Sequence, residues 1–149
     1  MLTLKAFPDM SNLYIHEGGC LCGAIRFHTT DKAVAVMVCH CAACKQRTGA
    51  AYGLGVYFND DDIEFTKGSK QLFQFVSDES GRWLRTEFCG RCGTTVSCVV
   101  EKRPGMRGVA GGSYDDLNWF TVESHIWTRS ARSDMCYPDH AKLYEQGTP

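Results

Sequence analysis

The chain has 149 residues and a formal net charge of −1 from 16 basic and 17 acidic side chains, which leaves no polyelectrolyte pull toward nucleic acid or an anionic membrane. That length suits one domain spanning 1–149, large enough to bury a core without cross-links. Nine cysteines point either to disulfides or to metal. The segment Met1 to Gly19 carries Lys5, Pro8, Asp9 and Glu17 and lacks the apolar run of a signal peptide or membrane helix, so a cytoplasmic, metal-binding protein is the expectation. Residues 1–12 read as a loosely ordered tail.

From Ala24 to His28 apolar and polar residues alternate as in a half-buried strand, and Ala33 to Val38 is a continuous apolar strand that delivers the chain into Cys39. Ala42 to Arg47 predicts one short helical turn, stopped near Gly49. The sulfurs of Cys39, Cys41 and Cys44 would then lie near a helix N-terminus, where partial positive charge favours thiolate. Tyr52 to Phe58 predicts a strand whose Gly53 and Gly55 mark a bend or a close approach of backbone. Asn59 to Asp62 is a turn, and Ile63–Thr66 with Leu72–Val76 predicts a hairpin around Lys67-Gly68-Ser69-Lys70. Trp83 to Phe88, Cys89-Gly90-Arg91-Cys92-Gly93 and Thr94 to Val100 form a strand, knuckle, strand unit. Arg107 to Ala110 follows a Pro104-Gly105 turn; Gly111 to Leu117 reads as a loop with at most one helical turn; Thr121 to Thr128 is the last clear strand, and Ser130 to Pro149 is polar and irregular. With no long amphipathic helix or repeat, the expected class is mainly β: packed antiparallel sheets with short helical turns and zinc knuckles.

The cysteines fall into two groups by spacing. In Cys89-Gly90-Arg91-Cys92-Gly93 the glycines let the backbone turn tightly enough for its N–H groups to face the sulfurs. Cys20 and Cys22, two apart in an extended segment, can face the same ion, and together the four would close a structural zinc site. Cys39, Cys41 and Cys44 come from one loop and supply only three sulfurs. A tetrahedral ion there keeps one position for water or substrate, unless His40, Cys98, Cys136 or a distant histidine closes it as a second structural site. Zinc suits these spacings better than an iron–sulfur cluster. Two zinc ions and seven thiolates would take the net charge to about −4.

Lys45 and Arg47 would offset thiolate charge and attract an anionic substrate. His40, between two ligands, should point away from the metal. His125 and Trp127 should share one face of their strand, packed or as a pocket base. Cys98 reads as a small core residue, Cys136 as exposed, and Tyr52 as a pocket wall or core residue. Arg26, Arg47, Arg107 and Arg129 are candidates for holding substrate carboxylates.

In Gly18-Gly19-Cys20-Leu21-Cys22-Gly23, in Cys39-His40-Cys41 through Thr48-Gly49, and in Phe88-Cys89-Gly90-Arg91-Cys92-Gly93-Thr94, the chain resembles the glutathione-dependent formaldehyde-activating enzyme family, from about Gly18 to about Trp127. The resemblance implies a fold of packed β-sheets shared with small zinc-binding exchange-factor chaperones. It implies a structural zinc on Cys20, Cys22, Cys89 and Cys92 and a catalytic zinc on Cys39, Cys41 and Cys44. The family reaction joins formaldehyde to glutathione, giving S-(hydroxymethyl)glutathione, and is a carbon–sulfur lyase chemistry run in the direction of synthesis. The expected partner is thus a small thiol, not nucleic acid or membrane. The rival reading is a zinc-stabilised binding module with no catalytic activity. Ser133 to Asp139 departs from the tryptophan and acidic residues usual in this family, at a place where a pocket wall would be built.

Overall fold

The computed structural model describes residues 14–149, so the tail expected over 1–12 lies outside the described residues. The strands are β1 (His16–Gly19), β2 (Arg26–Thr29), β3 (Ala35–Cys39), β4 (Gly53–Asn59), β5 (Ile63–Lys67), β6 (Gln71–Val76), β7 (Trp83–Phe88), β8 (Thr95–Val100), β9 (Met106–Ala110), β10 (Ser124–Ile126) and β11 (Lys142–Leu143). One helix, α1 (Ala42–Thr48), sits between β3 and β4. The strands make a three-stranded sheet, β1-β2-β5, and an eight-stranded sheet, β11-β10-β3-β4-β9-β8-β7-β6.

Alternation along the strands decides what lies between the sheets. Ile25 and Phe27, beside and within β2, are buried against Val56 and Phe58 of β4 and Val109 of β9. Tyr114 meets Phe27 edge-on at 5.3 Å and Trp119 edge-on at 5.2 Å, filling the end of this layer with aromatic surface. Burial of that kind stabilises by roughly 1.5–3 kcal/mol per large apolar side chain.

One buried charge interrupts the apolar layer. Glu87 of β7 accepts hydrogen bonds through Oε2 from Lys70 Nζ at 2.8 Å and Ser97 Oγ at 2.5 Å, and Arg107 Nε of β9 lies 3.0 Å away. Lys70 Nζ also stands 3.5 Å above the Phe65 ring of β5. The carboxylate therefore ties the linker leaving the small sheet to three strands of the large one. Burial alone pushes the Glu87 carboxyl up, but the hydrogen bonds from Lys70 and Ser97 and the charges of Lys70 and Arg107 outweigh it and hold the group below its ordinary value.

Four expectations need correction. The predicted hairpin does not form: β5 pairs with β2, while β6 pairs with β7 in the other sheet. Lys67 to Lys70 has the composition of a hairpin loop, but Gly68 takes a left-handed φ of +79°, and a Cβ there would lie 2.1 Å from Ala24 O. The chain is thus pressed against the small sheet and crosses to the large one, leaving Leu72, Phe73 and Val76 exposed along the edge strand β6. The last strand keeps only Ser124–Ile126, because Trp127 adopts φ 57° and starts a one-turn 3-10 helix over Thr128–Ser130. That strand runs parallel to β3 and to β11, so the large sheet is not wholly antiparallel. The polar C-terminal stretch supplies β11 and then follows β10 with backbone hydrogen bonds, Tyr144 N to His125 O at 2.9 Å and Trp127 N to Gln146 O at 2.9 Å.

Glu87 yields a test of both sign and size. Its folded carboxyl titrates below the ordinary 4.5, so its contribution is complete above that value and is lost as pH falls through the lowered folded one. Replacement by glutamine is expected to cost about 3 kcal/mol at neutral pH. Urea denaturation from pH 7 to pH 3 should show the gap between the two proteins narrowing only below about pH 4.5.

Candidate metal centres

Two turns of the same make bring four cysteines together. In one, Cys20 N donates to Ile25 O at 3.1 Å and Gly23 N to Cys20 O at 3.0 Å; in the other, Cys89 N donates to Thr94 O at 2.9 Å and Gly93 N to Cys89 O at 2.8 Å. Gly23 and Gly93 both sit at φ +76°, a conformation open to glycine at little cost. The sulfurs of Cys20, Cys22, Cys89 and Cys92 lie within 4.8 Å of one another. Cys20 to Cys22 is 3.6 Å and Cys22 to Cys89 is 3.8 Å. A tetrahedral ion with zinc–sulfur bonds of about 2.3 Å has sulfur–sulfur edges of about 3.8 Å, so the set fits zinc.

Crowding splits the thiols. A hydrogen bond from Thr94 Oγ1 brings Cys92 down to about 5. Cys22, although favoured by a backbone bond from Ala24, is pushed up to about 11 by desolvation and by the neighbouring sulfurs. Four thiolates at these spacings require a cation between them.

The second cluster is built by a strand end and a helix start. Cys39 closes β3, Cys41 caps α1 and accepts from Cys44 N at 3.3 Å, and the three sulfurs of Cys39, Cys41 and Cys44 lie within 4.8 Å of one another. Hydrogen bonds from Cys39 and Cys41 and the guanidinium of Arg47 bring Cys44 down to about 3, while Cys41 is pushed up to about 11 and Cys39 is raised as well. Of the three, Cys44 is the thiol most favoured as thiolate. Arg47 Nη2 stands 3.9 Å from that sulfur.

Beyond the three sulfurs lies a cavity of about 140 Å³. Its floor is the face of the large sheet that carries Met37 and Cys39 of β3, Gly53, Gly55 and Tyr57 of β4, Gly108 of β9 and Cys98 of β8. The glycines make the room. A Cβ on Gly55 would come within 2.8 Å of the Tyr57 ring, and one on Gly108 within 2.9 Å of that ring and 3.1 Å of Cys98 Sγ. Gly53 and Gly55 thus mark close approach by side chains and not a bend.

The remaining candidates separate cleanly. His40 does point away from the sulfurs, but inward: it is fully buried, its Nε2 lies 3.0 Å from Nδ1 of His125, and Tyr52 and Tyr137 stand edge-on to it. His125 therefore faces His40 and not the cavity, and Trp127, with its turned backbone, lines the cavity without sharing His125's face. Tyr52 is 40% exposed and is no cavity wall. Cys98 is buried as expected, yet on the cavity floor, 3.9 Å from Tyr57 Oη. Cys136 is exposed, and neither of these cysteines joins a cluster. Lys45 is held by Ser130 O, Arg26 by Asp115, and Arg107 by Asp60 and Glu87. Arg129 lies over the Trp127 ring. Of the four candidate arginines, only Arg47 lines the cavity.

Sequence reasoning passed over the other basic side chains of this lining, Arg82, Lys102 and Arg103. The signal was present in the register of the knuckle strands: Leu84 opposite Val100 carries Arg82 to a place beside Lys102. The segment expected to supply a wall, Ser133 to Asp139, does not line the cavity; Gly147 and Thr148 do.

The profile of the family described as glutathione-dependent formaldehyde-activating enzyme matches residues 15–130. A crystal structure of a Rhodobacter sphaeroides protein superposes with a TM-score of 0.55 at 20% identity, over 68% of this chain and 90% of that one, and shows the likeness of fold. The chain belongs to the glutathione-dependent formaldehyde-activating enzyme family. Among the described residues no helix is long and apolar enough to cross a membrane.

The packing around Gly53 carries a prediction. In Gly53→Ala the new methyl would fall 2.9 Å from Arg47 Nη2, so the flexible guanidinium is displaced from Cys44 while the strand persists. Stability is expected to change by less than about 1 kcal/mol. After mild chelation, the pH midpoint for alkylation of Cys44, followed by peptide mass spectrometry, should rise by about one unit.

Proposed function

We propose that this chain is a zinc-dependent enzyme that makes or breaks a carbon–sulfur bond in a thiol adduct, with glutathione and formaldehyde giving S-(hydroxymethyl)glutathione as the leading reaction. The observation that carries this reading is the incomplete set at Cys39, Cys41 and Cys44: among the described residues no fourth ligand joins them, and they border a cavity. Membership of the family supports the reaction class.

In this reading Cys20, Cys22, Cys89 and Cys92 hold a structural zinc that ties the start of the small sheet to the knuckle of the large one. Cys39, Cys41 and Cys44 would hold the catalytic zinc, which would supply thiolate formation at neutral pH and polarisation of a carbonyl. The protein contributes position. Arg47 offsets the surplus negative charge of three thiolates, and the apolar walls of Met37, Leu84 and Val100 limit access of water. In the synthetic direction the substrate sulfur bonds to the aldehyde carbon, and the thiol's proton ends on the former carbonyl oxygen; the lyase direction reverses both. The whole chain is taken to act as one unit, in a cytoplasm that keeps its nine cysteines reduced.

Exchange spectroscopy on a mixture of glutathione and formaldehyde tests this directly. The zinc-loaded protein should accelerate interconversion, and Cys41→Ala should abolish that acceleration while keeping one ion by elemental analysis. Cys89→Ala should instead lower the unfolding midpoint by several degrees, equivalent to at least about 2 kcal/mol. A fully loaded protein that leaves the exchange rate unchanged sinks the glutathione reaction and favours a binding module.

A further inference from the structure

The cavity has a thiolate end and, across its floor, a cationic one. Four basic residues line it, Arg47, Arg82, Lys102 and Arg103, against a single acidic one, Glu101. The pairing of β7 with β8, continued by Glu101 N donating to Trp83 O at 3.2 Å, sets Arg82 beside Lys102, and Arg103 follows in the turn. The Arg103 guanidinium stands 5.3 Å over the Tyr57 ring, and the hydroxyl of that ring reaches within 3.9 Å of Cys98 Sγ. Contacts therefore run without a break from Arg103 across Tyr57 to the floor that borders Cys39 and Cys44.

Lys102 and Arg103 are both answered by neutral groups of Thr148. Lys102 Nζ donates to Thr148 O, and Arg103 Nη2 donates to Thr148 Oγ1 at 3.3 Å. Gly147 lies close enough that a Cβ on it would come within 3.4 Å of Lys102 Nζ. Desolvation first, then the charges of Arg82 and Arg103, draw the exposed Lys102 below its ordinary value. Donors that hold a carbonyl and a hydroxyl oxygen in this way can also hold the oxygens of a carboxylate.

We infer that Arg103 and Lys102, with Arg82 at the rim, form a carboxylate subsite that selects thiols bearing a carboxylate remote from their sulfur, and that Thr148 holds its place until substrate arrives. This rests on the reading above that the substrate sulfur is seated at Cys39, Cys41 and Cys44, and it names residues that set which thiol is accepted.

Cobalt-loaded protein makes sulfur binding visible through its charge-transfer band, and calorimetry with S-methylglutathione, which has the carboxylates but no free thiol, reads the subsite without the metal. Glutathione and 6-mercaptohexanoate are expected to bind at least about tenfold tighter than 2-mercaptoethanol or cysteamine. Arg103→Gln and Lys102→Gln should each remove most of that advantage, with cobalt content and the affinity for 2-mercaptoethanol unchanged. Equal affinities for thiols with and without a carboxylate, or a loss shared by all four thiols in Arg103→Gln, overturns the subsite. If no thiol alters the cobalt spectrum but S-methylglutathione binds in an Arg103-dependent way, the sulfur-seating reading fails and the carboxylate subsite stands. If S-methylglutathione binds equally to wild type and Arg103→Gln, the subsite fails whatever the thiols do.

Discussion

Cys20, Cys22 and Cys89 hold their sulfurs 3.6 and 3.8 Å apart, and at that spacing like charges repel too strongly for all to ionise without a cation among them. Much of the architecture follows from how this constraint is met. The cysteines sit in turns whose backbone N–H groups are already aimed, Ile25 N at Cys20 Sγ at 3.2 Å for one. They join β1 and β2 of the small sheet to β7 and β8 of the large one. The buried Glu87 makes a second join between the same two sheets, with Lys70 and Arg107 on either side of it. A cluster of cysteines and a buried charge thus fasten the same layers.

The face of the large sheet turned away from that core is shaped by what it lacks. Gly53 beside Cys39 of β3, and Gly55 and Gly108 where β4 and β9 run side by side, carry no side chain, so the Tyr57 ring lies over bare backbone and a cavity opens at Cys39 and Cys44. A sheet floor is stiff, because each residue is fixed by hydrogen bonds on both sides, and groups placed on it keep their spacing. That stiffness suits the site proposed, with a sulfur at one end and a charge at the other.

Much of this was legible in the residues. The knuckles could be read because their ligands are two or three positions apart and their glycines have a local conformational reason. The helix after Cys41 could be read from its stop at Gly49, which takes φ 67°. What escaped was set by pairings distant in sequence. His40 meets His125 across 85 residues because β10 lies parallel to β3, and no local pattern announces that register. Lys67 to Lys70 had hairpin composition, and only the press of Gly68 on Ala24 shows why the chain crosses instead. Arg82 and Lys102 lay in between: strand alternation on either side of the knuckle would have brought them together had the register been followed to its end.

The parallel pairing of β10 with β3 has a consequence in time. β3 leaves the ribosome early and ends at Cys39, but the neighbour that covers its open edge, Ser124–Ile126, is made 87 residues later at Met37's partner Ser124. The helix carrying Cys44 waits likewise for Ser130, 85 residues on, to receive Lys45. Loops of that length close slowly, and contacts so far apart in sequence form late in folding. During synthesis the thiols of Cys39, Cys41 and Cys44 are therefore made long before their surroundings are, and for that interval their survival depends on the reducing power around them.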